Sequence, residues 1–179
     1  SETLFIENYL DKNSANIYVQ GLRRNIMNDV PIIGKYGVRN EGSSDMYYKG
    51  ANMLHTIRQI INNDEKFRLI LRRINKDFKL QTVTTKQIEH YISAKSGIDL
   101  SSVFDQYLRT TEIPTMEYKQ EGNSLKFRYI NIVENLKLPI VVDAKTTLNP
   151  TKNWQTVKLS SSAQVDFDKN YYINYKKVN

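Results

Sequence analysis

The chain has 179 residues, of which 40% are hydrophobic and 25% charged, with only 7 Gly and 4 Pro. That composition excludes disordered, collagenous and low-complexity classes and is enough for a core, in one large domain or two small ones. Cysteine is absent, which removes disulfides, thiolate metal sites and cysteine nucleophiles together. The 26 basic residues outnumber the 19 acidic ones, for a net charge of +7, but the excess is +3 over residues 1–112 and +4 over 113–179, and the one dense basic patch, over 66–79, reads as the solvated face of an amphipathic helix. A specific nucleic-acid partner is therefore not expected. No stretch approaches the roughly 18 consecutive apolar residues of a membrane span. Glu2 and Glu7 interrupt the opening SETLFIENYL, which lacks the basic lead and small-residue cleavage site of a signal peptide.

Apolar residues recur at helical spacing up to about Glu112 and alternate, or cluster with β-branched and aromatic residues, beyond Ile113. A domain boundary is placed near residues 112–114, giving a helical domain over 1–112 and a β domain over 113–179. Helices are predicted at about 2–11 and 14–28, followed by an irregular stretch over 29–45 punctuated by Pro31, Gly34, Gly37 and Gly42. The next helix starts near Ser44 or Asp45. Met46, Met53, Leu54, Ile57, Ile60 and Ile61 form one broad stripe on it, which marks a buried helix. Asn63 or Asp64 caps a helix to about Lys79, whose Lys66, Arg68, Arg72, Arg73, Lys76 and Lys79 make a solvated basic face. Thr84 with Gln87 forms a capping box for a helix to about Lys95, stopped by Gly97, and Asp99 caps a last helix through Arg109. Strands follow at 115–120, 124–133, 138–143, 154–159 and 170–176, with Glu121-Gly122-Asn123 as a hairpin signal. The fold class is α+β: a helical domain followed by a small antiparallel β-sandwich.

Motifs of the common catalysts are missing. No H-E-x-x-H helix, G-x-S-x-G elbow, Walker loop or dinucleotide fingerprint occurs. His55 and His90 have no partner at helical spacing; His55, inside the apolar helix, is expected to be packed, and His90 to lie on a polar helix face. Asp99 and Asp105 read as a cap and a helix-face charge, not as an acid/base pair. One stretch stands out, GSSDMYYKGANMLHTIRQII (42–61), a glycine-marked loop leading into a helix with Tyr47 and Tyr48 in its first turn and Gly50 in its second. A glycine inside a helix costs about 1 kcal/mol relative to alanine, so a close neighbour is expected at Gly50. Tyr47 sits at the loop-to-helix junction, where a side chain can reach into a cleft.

YYKGANMLHTIR (47–58) resembles the Y-x-K-G-A-x-x-L-x-x-L/I-R segment of the aminopeptidase N family, the gluzincin zinc aminopeptidases. GIDLSSVFDQYLR (97–109) is similar to the family's G-x-D-L-x-x-F-F-x-x-W-L-R helix, with Tyr107 for the usual Trp and Val103 for the first Phe. IPTMEY (113–118) is similar to its P-x-x-x-Y approach to the β-domain, and SETLFIENYL (1–10) to the helix just downstream of its third zinc ligand. The resemblance covers roughly residues 1–140. It implies that the chain is the C-terminal part of a thermolysin-like catalytic domain with the following β-domain. The zinc-ligand segment then lies upstream, and Glu2 falls after the ligand glutamate.

The parent enzyme so implied is a zinc metallopeptidase that hydrolyses N-terminal peptide bonds through a zinc-activated water, with a peptide substrate and the upstream catalytic segment as partners. The resemblance gives Tyr47 the role of donor to the oxyanion, makes Tyr48 structural, and leaves this chain without metal ligands and inactive alone. A fragment of this kind is expected to expose apolar surface along the Met46–Ile61 stripe and to self-associate through it. The alternative is a non-catalytic protein-interaction module on the same scaffold, with that face covered.

Overall fold

The computed structural model describes residues 2–34, 37–38, 42–143 and 146–179, without the side chain of Asp143. The predicted irregular stretch therefore lies partly outside the described residues. Its glycine at 42 has φ +76, and a Cβ there would come within 2.9 Å of the Ile32 carbonyl oxygen, so only glycine fits without strain.

Among the described residues the helical spacing becomes six α-helices: α1 (Glu2–Tyr9), α2 (Lys12–Gly21), α3 (Asp45–Ile61), α4 (Asp64–Asp77), α5 (Thr85–Ser96) and α6 (Ser101–Arg109). Their ends follow local chemistry. The Asp11 carboxylate accepts the Ser14 amide at 2.7 Å, and the Asn63 side chain accepts the Lys66 amide at 2.9 Å. Thr84 and Gln87 form the reciprocal capping box, while Asn62 and Gly97 close α3 and α5 in the left-handed conformation. Two helix boundaries differ from the sequence reading. The second helix stops at Gly21 and passes into a short 3₁₀ turn at Leu22–Asn25, because the Met27 and Asn28 amides donate to the Asp45 carboxylate instead of to helix carbonyls. In front of α6 the N-cap is Leu100; Asp99 accepts the Ser101 amide from one residue earlier, at 3.1 Å.

Six strands follow among the described residues: β1 (Thr115–Glu121), β2 (Ser124–Ile130), β3 (Ile140–Asp143), β4 (Thr146–Leu148), β5 (Gln155–Lys158) and β6 (Asn174–Lys177). β1 and β2 pair antiparallel around Gly122, which has φ +57, and β5 adds antiparallel to β2. β6 lies on the other side of β1, parallel to it, giving the order β5-β2-β1-β6. The expected all-antiparallel arrangement is thus corrected at one edge. β3 and β4 form a separate hairpin, and β4 is too short to register as alternation in the sequence. The secondary structure is an α+β mix without a closed barrel among the described residues.

Strand alternation sorts the sheet: in β2, Leu125, Phe127 and Tyr129 are buried, and Lys126 and Arg128 face away. The core is one cluster that runs from Ile57, Leu100, Phe104 and Tyr107 of the helices to Met116, Leu125, Tyr129 and Ile140 of the strands. The segment before β6 lies against the helices through backbone: the Tyr107 hydroxyl donates to the Tyr172 carbonyl at 2.7 Å, and the Tyr172 amide donates to Thr56 Oγ1 at 2.9 Å.

Candidate functional site

Asp45, Lys49, Asn52 and Thr56 recur at intervals of four, three and four residues along α3, the spacing of one helix face, and all four are fully buried. Each buried polar group needs a partner. Asp45 accepts the amides of Met27 at 2.9 Å and Asn28 at 2.7 Å. Lys49 Nζ donates to the Thr110 carbonyl at 2.8 Å, and burial pushes its pKa down. The Asn52 amide donates to the Val19 and Tyr48 carbonyls, and its oxygen accepts Arg23 Nε at 2.7 Å. Arg23 continues to the carbonyls of Lys169 and Tyr171. The start of α3 is thus tied to α2, to the segment after it, to the end of α6 and to the stretch before β6.

Tyr47 stands between Asp45 and Lys49 but points outward, 71% exposed. Its amide donates to the Ser44 carbonyl at 3.2 Å in the first turn, so an exposed ring rises from an anchored backbone. It borders a groove of ≈ 650 Å³ that is also lined by Glu2, Thr3, Ile32, Met46 and Gly50. Tyr48, expected to be structural, lines the same groove and is 36% exposed. Adjacent helix positions differ by about 100°, and a wide groove reaches both. Gly50 also departs from expectation: a Cβ there would meet no atom within 4 Å, so no neighbour among the described residues requires the glycine. The apolar stripe divides as well. Met53, Ile57 and Ile61 are in the core, Leu54 and Ile60 are half-buried, and only Met46 at the tyrosine end is exposed.

A second set of charges holds α1, a helix that buries no residue of its own. Arg58 of α3, 2% exposed, grips Glu7 with Nη1 at 2.6 Å and Nη2 at 2.8 Å and reaches Asp64 with Nε at 2.7 Å. Arg68 adds to Glu7 and Lys12 to Asp64. The Arg58 guanidinium holds both carboxylates below their usual range. Neighbouring Glu2 accepts the Tyr18 hydroxyl at 2.7 Å.

His55 is packed, 4% exposed, with Nε2 3.1 Å from Asn170 Oδ1, and burial lowers its pKa. His90 is exposed on α5. Asp99 pairs with Lys137 and Asp105 with Arg109, as helix-face charges do. Among the described residues no group of three or more His, Cys, Asp or Glu side chains could hold a metal ion. The described residues therefore offer no ligand set that fits a zinc centre. No helix of the described residues is long and apolar enough to cross a membrane.

The buried polar stripe escapes hydrophobic periodicity, because that pattern scores polar residues as outward-facing. Its signal was the recurrence of polar residues at helical spacing inside a helix that was already expected to be buried.

No family model matches the chain. No curated protein matches it in sequence. A solved structure does resemble it, the crystal structure of Legionella pneumophila aminopeptidase A in complex with aspartic acid, with a TM-score of 0.64 at 16% identity. The likeness covers 93% of this chain and 23% of that one, so the chain spans less than a quarter of the length of the structure it resembles. At that identity the likeness establishes an aminopeptidase-like fold.

Proposed function

We propose that the chain is one portion of a zinc-dependent aminopeptidase of the gluzincin type, in which Tyr47 donates its hydroxyl to the oxyanion of the tetrahedral intermediate. The observation that carries this reading is the presentation of Tyr47: an exposed phenol on an anchored helix start, facing a groove, within an aminopeptidase-like fold. Preorganised donors of this kind act because their geometry is fixed before charge develops, and the ties of Asp45, Lys49 and Asn52 supply that rigidity.

Residues 1–112 form the helical part of the catalytic domain in this reading and residues 113–179 a small β-sandwich. The sandwich is supported by the facing of β2's inward side toward the chain just before β3, where the Tyr129 hydroxyl donates to the Leu138 carbonyl at 3.1 Å. The metal ligands and the general base belong to an upstream segment, which packs over the groove beside Gly50. The open space at Gly50 supports that docking, since a helix interior accepts the cost of glycine where another backbone approaches closely. The chain alone is accordingly inactive.

The experiment is Tyr47→Phe in the complete enzyme, with kcat and thermal stability measured together. Loss of one oxyanion donor costs about 2.7 to 4 kcal/mol of transition-state stabilisation, so turnover falls roughly 10²- to 10³-fold. Stability stays unchanged, because the side chain is mostly in solvent. Unchanged turnover would remove Tyr47 from the chemistry.

A further inference from the structure

The solvent arc of α4 carries charge that the fold does not use. At 3.6 residues per turn, Leu69, Arg72, Arg73 and Lys76 share one side of the helix, opposite Phe67 and Ile70, which enter the core. Lys79 extends the arc into the turn that follows. None of these four cations has a hydrogen bond, ion pair or ring contact among the described residues, and all four are exposed. The nearby Asp77 carboxylate is engaged by the Tyr91 hydroxyl at 2.5 Å, and the acid on the arc itself is Glu65, at the far end.

Two leucines stand among these cations. Leu69 is 46% exposed and Leu80 is 97% exposed. Leu80 also has φ +58, a left-handed backbone that suits asparagine or glycine; the other non-glycine residues with positive φ among the described residues are Asn28, Asn62, Asn131 and Asn135. Leucine at that turn thus incurs both a strained backbone and full exposure of an apolar side chain, with no contact in the fold to offset them.

We propose that this arc, from Leu69 to Leu80, is a docking face for an anionic lipid surface. The cations match acidic headgroups, and Leu80 at the tip enters the boundary between headgroups and acyl chains. Phosphate on a duplex would satisfy the cations but offers nothing to the leucines, which favours lipid over nucleic acid. The proposal is independent of the peptidase reading: it uses no residue near Tyr47.

The test is co-sedimentation of the intact protein with vesicles of phosphatidylcholine alone and of phosphatidylcholine mixed with phosphatidylglycerol, at low and high salt, beside retention on duplex DNA. Partition onto the anionic vesicles and release by salt are expected, with no partition onto neutral vesicles. Each cation near an anionic surface is worth about fivefold in partition, so Arg72→Glu with Lys76→Glu lowers it by more than about tenfold. The deciding variant is Leu80→Asn, which relieves the backbone and keeps the charge. Its thermal midpoint is expected to stay level or rise while vesicle partition falls severalfold. Equal partition onto neutral vesicles, no partition onto anionic ones, or DNA retention with vesicle binding indifferent to Leu80→Asn would each overturn the proposal.

Discussion

Helices α3 and α4 are neighbours of similar length, both amphipathic in sequence, and they use their polar residues in opposite ways. In α3 nine of 17 residues are buried, and six of those nine are polar or charged: Asp45, Lys49, Asn52, His55, Thr56 and Arg58. In α4 two of 14 are buried, both apolar; Asp64, Lys66 and Arg68 bond neighbouring elements, and Arg72, Arg73 and Lys76 face water. The comparison shows that a polar residue in a helix has two possible fates, and that partners elsewhere in the chain decide between them. Arg58 and Arg72 illustrate it: one has Glu7 and Asp64 waiting inside, the other has solvent.

The sharpest way to break the contrast is Arg58→Met. It leaves the Glu7 carboxylate in an 8% exposed site with only Arg68, and removing one partner of a buried ion pair costs about 3 to 5 kcal/mol. Urea unfolding should show that loss, and amide exchange should show α1 opening first, since the helix buries no residue to hold it. Next comes Asn52→Leu, which orphans the Val19 carbonyl and Arg23 Nε in the interior; each unsatisfied buried group costs about 1 to 3 kcal/mol, and thermal unfolding reads the total. Smallest is Lys76→Gln on α4, an exposed side chain without a partner, expected to stay within about 0.5 kcal/mol of the parent.

Acid sharpens the same comparison. His55 has its pKa lowered by burial, so below the ordinary histidine value of 6.5 the unfolded chain takes up a proton that the folded one resists, and stability begins to fall. Glu7 and Asp64 have lowered carboxylate values, so their contribution is complete above the unfolded values of 4.5 and 3.8 and is lost as pH falls below them. Denaturant midpoints against pH should therefore descend in two stages, the first near pH 6 and the second below about 4.5. Arg58→Met should flatten the second stage and spare the first, whereas Lys76→Gln should leave both in place.

The same contrast explains what was legible in the sequence. Helix positions, caps and the hairpin at Gly122 follow from local chemistry, and Thr84 with Gln87 or Asn63 with Lys66 act within four residues. The basic face of α4 could be read at Arg72, Arg73, Lys76 and Lys79, which are exposed, whereas Lys66 and Arg68 turn to the Ser96 carbonyl and to Glu7. The burial of Asp45 could not, because its partners, the Met27 and Asn28 amides, lie 18 and 17 residues away and are freed only when α2 stops early. The parallel edge of the sheet was hidden for a related reason: β6 reaches β1 from the chain's far end, with no hairpin to announce it. At the candidate site, resemblance singled out Tyr47, and the fold supplies what sequence lacked, the polar stripe beneath it and the shared groove with Tyr48.

In the proposed reading, the reactive groups opposite Tyr47 lie in a segment upstream of Ser1. Reading the coding DNA upstream of Ser1 tests it most directly. An in-frame H-E-x-x-H, followed on the next helix by a glutamate a few residues before Ser1, is the predicted result. A start codon at once, or an upstream segment without those ligands, would contradict it and return Tyr47 to an ordinary surface tyrosine.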